Sequence, residues 1–346
     1  MATIEARDFK ILVTGGAGYI GSHTVVELQQ QGFPVVVIDD LSNSRASVIG
    51  RIGEITGVEP EFHRFDLTDR SRTAAFFADH PGLGAVIHFA AFKAVGESMG
   101  APLKYYRNNL ASLVNVLEGM RDARVGNLVF SSSCTVYGQP DELPVRETSP
   151  VKDAWSPYGN TKQMSEQIIR FSTAACGIRA IALRYFNPVG AHGSALIGEL
   201  PLGVPANLVP FITQTAAGRR ECLSVFGTDY PTPDGTAIRD YIHVVDLAKA
   251  HVAAVCRMAD GRAQADFEVF NVGTGDGHSV REVVQAFERV SGRKLPVRYV
   301  GRRPGDIVEV WADTSLAGEA LGWKAEKTLD EMMLSAWRWQ QALEGQ

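Results

Sequence analysis

The sequence predicts an α/β fold with a doubly wound parallel sheet and a smaller C-terminal α/β lobe. Three observations support this prediction. Short apolar runs alternate with stretches of helical composition through the first half of the chain, as in sheets built from strand–helix–strand units. A glycine-rich turn follows the first apolar run. Beyond residue 187 the alternation loosens into a segment rich in glycine and proline, followed by shorter elements.

The predicted strands are short, mostly apolar runs. They span residues 10–14, 34–38, 61–65, 85–89, 127–130 and 179–184. A continuous apolar run is typical of a parallel strand that is buried on both faces. Small or polar residues come after the runs, and these include Asp39, Asp66, Leu67, Ala90, Ser131, Ser132, Ser133 and Asn187. Because ligands of such sheets bind beyond the carboxyl ends of the strands, we expect these residues to border one site.

The glycine-rich turn lies between the first predicted strand and a helix that we expect over residues 22–31. Gly15, Gly18 and Gly21 are its regularly spaced glycines. Glycine permits a tight turn and lets the backbone approach a pyrophosphate, whose charge is attracted by the free N–H groups of the helix start. An acidic residue, Asp39, follows about 20 positions later. In this context the turn predicts a Rossmann-type dinucleotide site.

Asp39 indicates which dinucleotide to expect. A carboxylate at the end of the second strand accepts hydrogen bonds from the adenosine ribose hydroxyls and repels a 2′-phosphate. The sequence therefore favours NAD over NADP as the cofactor. A helix N-cap is the alternative interpretation of this aspartate.

A second motif, Tyr158-Gly159-Asn160-Thr161-Lys162, follows the predicted strand 127–130 and its serine cluster. On a helix, residues i and i+4 share a face, which places the phenol beside the ammonium. A free tyrosine has a pKa of about 10, and we expect Lys162 and a nicotinamide cation to lower the pKa of Tyr158. Such a phenol can exchange a proton with a sugar hydroxyl. Ser133 would hydrogen-bond the same oxygen, and a strand-end cap is its alternative role.

Composition excludes several classes of protein. The formal net charge is −5, so we expect no nucleic-acid partner. The four cysteines, Cys134, Cys176, Cys222 and Cys256, form no C-x-x-C pair, and we expect reduced thiols, no bound metal and a cytoplasmic location. The sequence contains neither an apolar signal core at its start nor a run of the roughly 18 apolar residues that a membrane span requires.

The division of the chain follows from these patterns. We expect residues 1–186 to form an NAD-binding domain and residues 187–346 to form mainly a substrate-binding lobe. Part of 236–275 is expected to return to the first domain. The amphipathic stretch 329–343 contains Trp337 and Trp339 and predicts a helix that packs on the core.

Five longer motifs resemble those of the UDP-glucose 4-epimerase family, in the extended branch of the short-chain dehydrogenase/reductase superfamily. They cover residues 14–24, 88–98, 131–138, 184–192 and 239–247. The resemblance extends from about residue 10 to about residue 340. It implies NAD-dependent interconversion of UDP-glucose and UDP-galactose by inversion at C4, through a transient 4-keto sugar and with NAD retained between turnovers. By analogy with relatives, it also implies a homodimer.

The resemblance further implies the residues of the site. NAD would be held by Gly15, Gly18, Tyr19, Ile20, Gly21, Asp39, Asn43, Ser44, Asp66, Leu67, Phe89, Ala90, Lys93, Asn108, Tyr158, Lys162 and Phe186. The UDP-sugar would contact Lys93, Ser133, Tyr158, Asn187, Asn207, Leu208, Val225, Phe226, Arg239, Arg303, Asp306 and Val310. Tyr158, Lys162 and Ser133 would be catalytic. Arg239 and Arg303 suit a diphosphate, although without the resemblance both would be read as surface arginines.

Two residues distinguish the alternatives. Dehydratases of this superfamily carry an Asp-Glu pair before Val-Tyr-Gly, and decarboxylases usually keep the glutamate; here Cys134 and Thr135 occupy the two positions. Their side chains lack the acid and base that elimination needs. A non-catalytic NAD sensor of the same fold is the other alternative. Val310 stands where narrow family members carry a tyrosine, so N-acetylated UDP-hexosamines are a further candidate substrate.

Overall fold

The computed structural model of the protein describes residues 8–303 and 306–345. Its main sheet has seven parallel strands in the order β10-β6-β5-β4-β1-β2-β3. These are β1 (Lys10–Thr14), β2 (Val35–Asp39), β3 (Glu61–Arg64), β4 (Leu83–His88), β5 (Asn127–Ser133), β6 (Arg179–Tyr185) and β10 (Phe267–Val272). The predicted doubly wound parallel sheet is confirmed.

Helices cover both faces of this sheet. They are α1 (Tyr19–Gln30), α2 (Ser47–Thr56), α3 (Arg70–Asp79), α4 (Val95–Gly100), α5 (Pro102–Asp122), α6 (Pro157–Cys176) and α8 (Val244–Ala259). Two buried apolar clusters fill the space between the helices and the sheet, one on each face. Within the described residues, no helix combines the length and the apolar character that crossing a membrane requires.

The smaller lobe is built from short elements. They are β7 (Asn187–Val189), α7 (Leu208–Ala216), β8 (Leu223–Phe226), β9 (Ile238–His243), β11 (Gly277–Ser279), α9 (Val280–Ser291), β12 (Val297–Val300), β13 (Glu309–Val310), α10 (Ser315–Leu321) and α11 (Leu329–Glu344). A third apolar cluster lies beneath α7, α9 and α11. Trp337 and Trp339 are both buried, so the prediction of a core-packing C-terminal helix is confirmed.

The segment 236–275 contributes to both parts of the molecule. Its first strand, β9, pairs with β7, β11 and β13 in the lobe. Its helix, α8, packs on α1, and its last strand, β10, pairs with β6 at the edge of the main sheet.

Several element boundaries differ from the prediction by one or two residues, and two larger differences bear on the site. Helix α1 begins at Tyr19 rather than at residue 22, because Gly18 already has the extended conformation of an N-cap. Strand β5 extends through Ser133, whereas we expected the serines to follow it. Their backbones pair with residues of β6, so parallel pairing keeps these polar residues inside the sheet.

Candidate functional site

The glycine turn lies where the strand order reverses, between the carboxyl ends of β1 and β4. Gly15 has a φ of +69°, and a Cβ atom there would lie 2.9 Å from the backbone nitrogen of Ala90. A Cβ on Gly21 would lie 2.2 Å from the carbonyl oxygen of Gly15. Only glycine fits these two positions without a backbone shift, and the crevice at such a switch point is the usual ligand site of open α/β sheets.

The N-terminus of α1 opens into this crevice. Its N-cap, Gly18, provides no side-chain hydrogen bond, and the first turn contains no acidic residue. The first N–H groups of a helix have no partner within the helix, and the helix dipole makes them attractive to phosphate. The cradle therefore fits the pyrophosphate of a dinucleotide, with Tyr19 and Ile20 in the first turn.

Asp39 ends β2 beside the cradle and connects it to the following loop. Its carboxylate accepts hydrogen bonds from Ala17 N at 3.1 Å, Leu41 N at 2.8 Å and Ser44 Oγ at 2.7 Å. Burial raises the pKa of Asp39, and these hydrogen bonds oppose the rise. The N-cap of α2 is Ala46, so the alternative role of Asp39 as the cap of that helix is not observed.

Most of the other residues expected at the cofactor follow the carboxyl ends of strands. Asn43 and Ser44 follow β2, Asp66 and Leu67 follow β3, Phe89, Ala90 and Lys93 follow β4, and Phe186 follows β6. Asn108 lies instead on α5, where its side-chain amide donates to Asn109 Oδ1 at 3.1 Å. The turn after β3 is partly held by Asp66, whose carboxylate accepts from Thr68 N at 2.8 Å.

Helix α6 positions the expected catalytic pair. Its N-cap, Ser156, accepts from Gly159 N at 3.1 Å, and Pro157 occupies the first turn, where it needs no N–H partner. Tyr158 and Lys162 lie one turn apart on the helix. Lys162 Nζ donates to the carbonyl oxygen of Ser131 at 2.6 Å and lies 5.9 Å from the centre of the Tyr158 ring.

The pKa values of this pair are both displaced by burial. Burial raises the pKa of Tyr158 to about 12, and a hydrogen bond with Ser133 opposes the rise. Burial lowers the pKa of Lys162 to about 8, opposed by the charge of Glu166. For the protein's own groups, the expectation that Lys162 lowers the pKa of Tyr158 is therefore wrong. Loss of hydration destabilises the phenolate by more than the nearby ammonium stabilises it.

Ser133 has the structural one of the two roles between which the sequence left a choice. Its hydroxyl oxygen accepts from Thr135 N at 3.2 Å and so caps the 3₁₀ turn Cys134–Tyr137. The same side chain also hydrogen-bonds Tyr158. The cap is therefore observed, and a hydrogen bond from Ser133 to the substrate oxygen stays a prediction.

A buried ion pair that the sequence did not predict joins α6 to β6. Arg184 Nε donates to Glu166 Oε1 at 2.9 Å, and Arg184 Nη2 donates to Glu166 Oε2 at 2.5 Å. Ser132 Oγ donates to the same carboxylate at 2.5 Å. Glu166 lies one turn beyond Lys162 on α6, and Arg184 interrupts an apolar strand. These two features of the sequence could have indicated the ion pair.

The residues expected at the substrate fall into two groups. In the first, Arg239 Nη2 donates to Asp306 Oδ1 at 2.8 Å, and Arg303 Nη2 lies 3.6 Å from that oxygen. The Arg303 guanidinium also lies 5.7 Å from the centre of the Phe226 ring. The Arg239 side chain is only 16% exposed, so it is not a surface arginine, whereas that of Arg303 is 58% exposed.

The second group joins the cofactor side to the lobe through an acidic residue that we did not predict. Glu199 Oε1 accepts from Lys93 Nζ at 3.3 Å and from Asn207 Nδ2 at 2.6 Å. Asn207 is the N-cap residue of α7, which begins at Leu208. Lys93 is thus paired within the site rather than free in solvent.

Three further residues expected at the sugar lie in short strands of the lobe. Asn187 begins β7, Val225 is buried in β8, and Val310 is paired with Arg239 through β13 and β9. Val310 belongs to a buried cluster that also contains Phe186 and Tyr137.

Together, a dinucleotide cradle and a Tyr–Lys pair with a buried lysine, beneath a lobe with two arginines, define a nicotinamide-dependent enzyme that acts on a phosphate-bearing substrate. Comparison with known proteins narrows this class. The model of the NAD dependent epimerase/dehydratase family matches residues 11–273, and the chain belongs to this family.

The chain is similar to several enzymes of one kind. The UDP-glucose 4-epimerase of Bacillus subtilis (strain 168) is 52% identical over 331 residues, which are 95% of this chain and 96% of that protein. A crystal structure of UDP-glucose 4-epimerase from Stenotrophomonas maltophila, with bound NAD and formylated UDP-arabinopyranose, has a TM-score of 0.94 and 52% identity, and the match covers 97% of this chain and 99% of that one. The structure of the UDP-glucose 4-epimerase from Bifidobacterium longum, in complex with NAD⁺ and UDP, has a TM-score of 0.92 and 46% identity. That match covers 96% of this chain and 98% of the other.

Proposed function

We propose that this protein is an NAD-dependent epimerase that interconverts UDP-glucose and UDP-galactose by inverting C4 of the sugar. The observation that carries the proposal is the pair formed by half-buried Tyr158 and buried Lys162, held against the end of β5 beside the glycine cradle. The division of labour between residues 1–186, for the cofactor, and mainly residues 187–346, for the substrate, is part of the same proposal.

The chain's own residues supply binding, orientation and proton transfer. Bound NAD supplies the hydride acceptor and donor, which side chains cannot provide. Lys162 is anchored on the Ser131 carbonyl and presents a cation next to the phenol. Tyr158 takes the proton of the sugar 4-hydroxyl, with Ser133 as hydrogen-bond partner. After the 4-keto sugar has turned over about its link to UDP, Tyr158 or Ser133 returns the proton to the opposite face.

The lobe holds the nucleotide part of the substrate during this turn. A guanidinium group matches the oxygens of a phosphate with two parallel donors, and Arg239 and Arg303 present two such groups around Asp306. Asp306 would also accept hydrogen bonds from the ribose hydroxyls. The nucleotide stays bound while the sugar is released from one face and captured on the other.

Elimination chemistry is disfavoured by the residues before Val136. Cys134 is half-buried, and loss of solvent raises the pKa of its thiol to about 12, so it is neutral at working pH. The buried Thr135 hydroxyl oxygen has no hydrogen-bond partner among the described residues. Neither side chain can act as the acid or base of a dehydratase.

The experiment that tests the function is incubation of the purified chain with UDP-galactose and no added NAD. We expect UDP-glucose as the product, and Tyr158→Phe should lower kcat about 10²–10⁴-fold because it removes the group that transfers the proton. Tyr299→Phe is the matched control, because Tyr299 is half-exposed on β12. A dehydrated sugar, or no conversion at all, would refute the proposal.

The same site is proposed to accept N-acetylated UDP-hexosamines. Valine at position 310 is smaller than the tyrosine of narrow family members, and it lies in the cluster with Phe186 beside the expected sugar pocket. Turnover of UDP-N-acetylglucosamine is the measurement, and Val310→Tyr should abolish it while leaving UDP-glucose turnover in place. No activity on the acetylated sugar beside rapid UDP-glucose epimerisation would disprove this extension.

We also propose a homodimer located in the cytoplasm. Helices α5 and α6 pack side by side and expose large apolar side chains, Leu103 at 77% and Phe171 at 82%. Pairing of this face across a two-fold axis would bury them. All four cysteines are free thiols, which suits a reducing compartment. Light scattering should give twice the chain mass, and Phe171→Lys should shift the protein towards monomer; a monomeric wild type would contradict the dimer.

A further inference from the structure

A cluster of metal-ligating side chains lies at the edge of the main sheet, where the proposed reaction does not use it. Glu61 begins β3, His63 follows two residues later on the same face of the strand, and His80 comes directly after α3. One ligand atom from each of the three residues lies within 4.8 Å of the others. We propose that Glu61, His63 and His80 form a binding site for a divalent transition-metal ion of the Zn²⁺ class.

The three ligand atoms are aimed at one point. Both Nε2 atoms face the same carboxylate oxygen, Glu61 Oε1, at 2.7 Å for His63 and 2.9 Å for His80. His80 Nδ1 lies 2.7 Å from the carbonyl oxygen of Phe76. A carbonyl oxygen can only accept, so Nδ1 carries the ring proton and Nε2 of the neutral ring presents a lone pair. Two acceptors that face each other are satisfied by a cation between them.

Both imidazoles are held in place by packing. The His80 ring stacks on Phe76 with a centroid distance of 4.0 Å, and the His63 ring meets the edges of both rings, at 5.0 Å for Phe76 and 4.9 Å for His80. The bond from His80 to Phe76 is also the kind of outer contact that orients metal-ligating histidines. The site is therefore largely preorganised.

The donor set and its dimensions select the metal. Two imidazole nitrogens and one carboxylate oxygen, with the fourth position open to water, are typical Zn²⁺ ligands. Metal–ligand bonds of about 2.0–2.1 Å in a tetrahedron place the ligand atoms about 3.3 Å apart. The nitrogen–oxygen distances here need to open by only about half an ångström. Lys10 Nζ lies 3.7 Å from the other oxygen, Glu61 Oε2, and leaves Oε1 to the ring nitrogens.

The position of the cluster indicates what a metal would do. It would tie β3 to the end of α3, and the segment between them contains the turn with Asp66 and Leu67, which we expect at the adenine. A metal ion that joins the two ends of such a segment reduces the conformational freedom of the unfolded chain and so stabilises the folded chain. This role is independent of the epimerase chemistry.

The test is titration of the full chain, without a polyhistidine tag, with ZnCl₂ in a calorimeter. We expect one ion per chain and a rise in Tm on Zn²⁺ binding. His80→Asn and Glu61→Gln should each weaken binding by at least about tenfold, as the loss of a ligand requires. His278→Ala is the matched control. His278 lies on β11, outside the cluster, with its Nδ1 atom 4.0 Å from Glu282 Oε2. This variant should bind Zn²⁺ as the wild type does.

A second readout separates a bound metal from a mere ion triad of two protonated histidines and a carboxylate. Co²⁺ in a four-coordinate site gives an intense visible spectrum, which the wild type and His278→Ala should show and His63→Ala should lose. The proposal is overturned if Zn²⁺ does not bind, or if His63→Ala, Glu61→Gln and His80→Asn bind it as wild type does. Circular dichroism checks that each variant is folded.

Discussion

Lys162 Nζ donates a 2.6 Å hydrogen bond to the carbonyl oxygen of Ser131, and this bond anchors the catalytic helix to the strand that ends in Ser133. The ammonium is buried at this point. Burial disfavours the charged form of a lysine, and its pKa consequently falls to about 8. The cation that the proposed mechanism requires is therefore lost at moderately alkaline pH.

The first prediction concerns the pH profile of the epimerase. Below pH 8 Lys162 is charged and above it neutral, so kcat/KM should fall about tenfold per pH unit once the pH exceeds 8. Lys162→Arg keeps a charge at all accessible pH values and should lose this alkaline limb, even if its plateau is lower. Lys249→Met, at an exposed lysine on α8, should retain the limb. An unchanged limb in Lys162→Arg would assign it to another group.

The second prediction concerns the buried pair of Arg184 and Glu166. Removal of one partner leaves an uncompensated buried charge, which costs about 3–5 kcal/mol. Glu166→Gln should lower the free energy of unfolding by that amount in a denaturant titration. Glu118→Gln is the control, since Glu118 pairs with Arg70, whose side chain is 74% exposed, and such pairs contribute about 0–1 kcal/mol.

The same pair offers a check on coupling. The double variant Glu166→Leu with Arg184→Met removes both charges, so it should be less destabilised than the sum of its single changes. Additive effects would show that the two side chains contribute independently and that the pair is not the unit that stabilises α6 on β6.

The third prediction concerns NAD retention by Asp39. Asp39→Ala removes the acceptor of three hydrogen bonds, including the one from Ala17 in the cradle. It also removes the expected acceptor of the adenosine ribose hydroxyls, and a hydrogen bond to a charged group is worth about 1.5–3 kcal/mol, so we expect NAD affinity to fall about 10–100-fold or more. Discrimination against NADP should weaken too, because the repelling carboxylate is gone. Asp40→Ala, which loses only exposed contacts with Ser42, should keep its NAD; equal losses in the two variants would argue against the assigned role.

The fourth prediction concerns the shape of the glycine cradle. Gly21→Ala puts a Cβ 2.2 Å from the carbonyl oxygen of Gly15, so the turn must open, and we expect loss of bound NAD and a lower Tm. Gly50→Ala on α2 meets nothing within 4 Å and should leave Tm unchanged or raise stability by up to about 1 kcal/mol. Absorbance of NAD released on denaturation measures the first effect, and NAD content of Gly21→Ala equal to wild type would contradict it.

The sequence by itself determined the features that depend on local spacing. The glycine turn, the helix that follows it and Asp39 lie within one strand–helix–strand unit, and Tyr158 and Lys162 share a helix face because they are four residues apart. The order of apolar runs was sufficient to predict the parallel sheet, since few topologies satisfy such an alternation.

Only the tertiary structure decided the contacts between distant segments. No local pattern predicts that Glu199 joins Lys93 to Asn207, that Arg184 faces Glu166, or that His80 closes on Glu61 and His63, because the packing of separate elements sets these distances. The pKa of Tyr158 belongs to the same category: its direction depends on how much water burial removes compared with what Lys162 contributes, and the sequence reveals the lysine but not the burial.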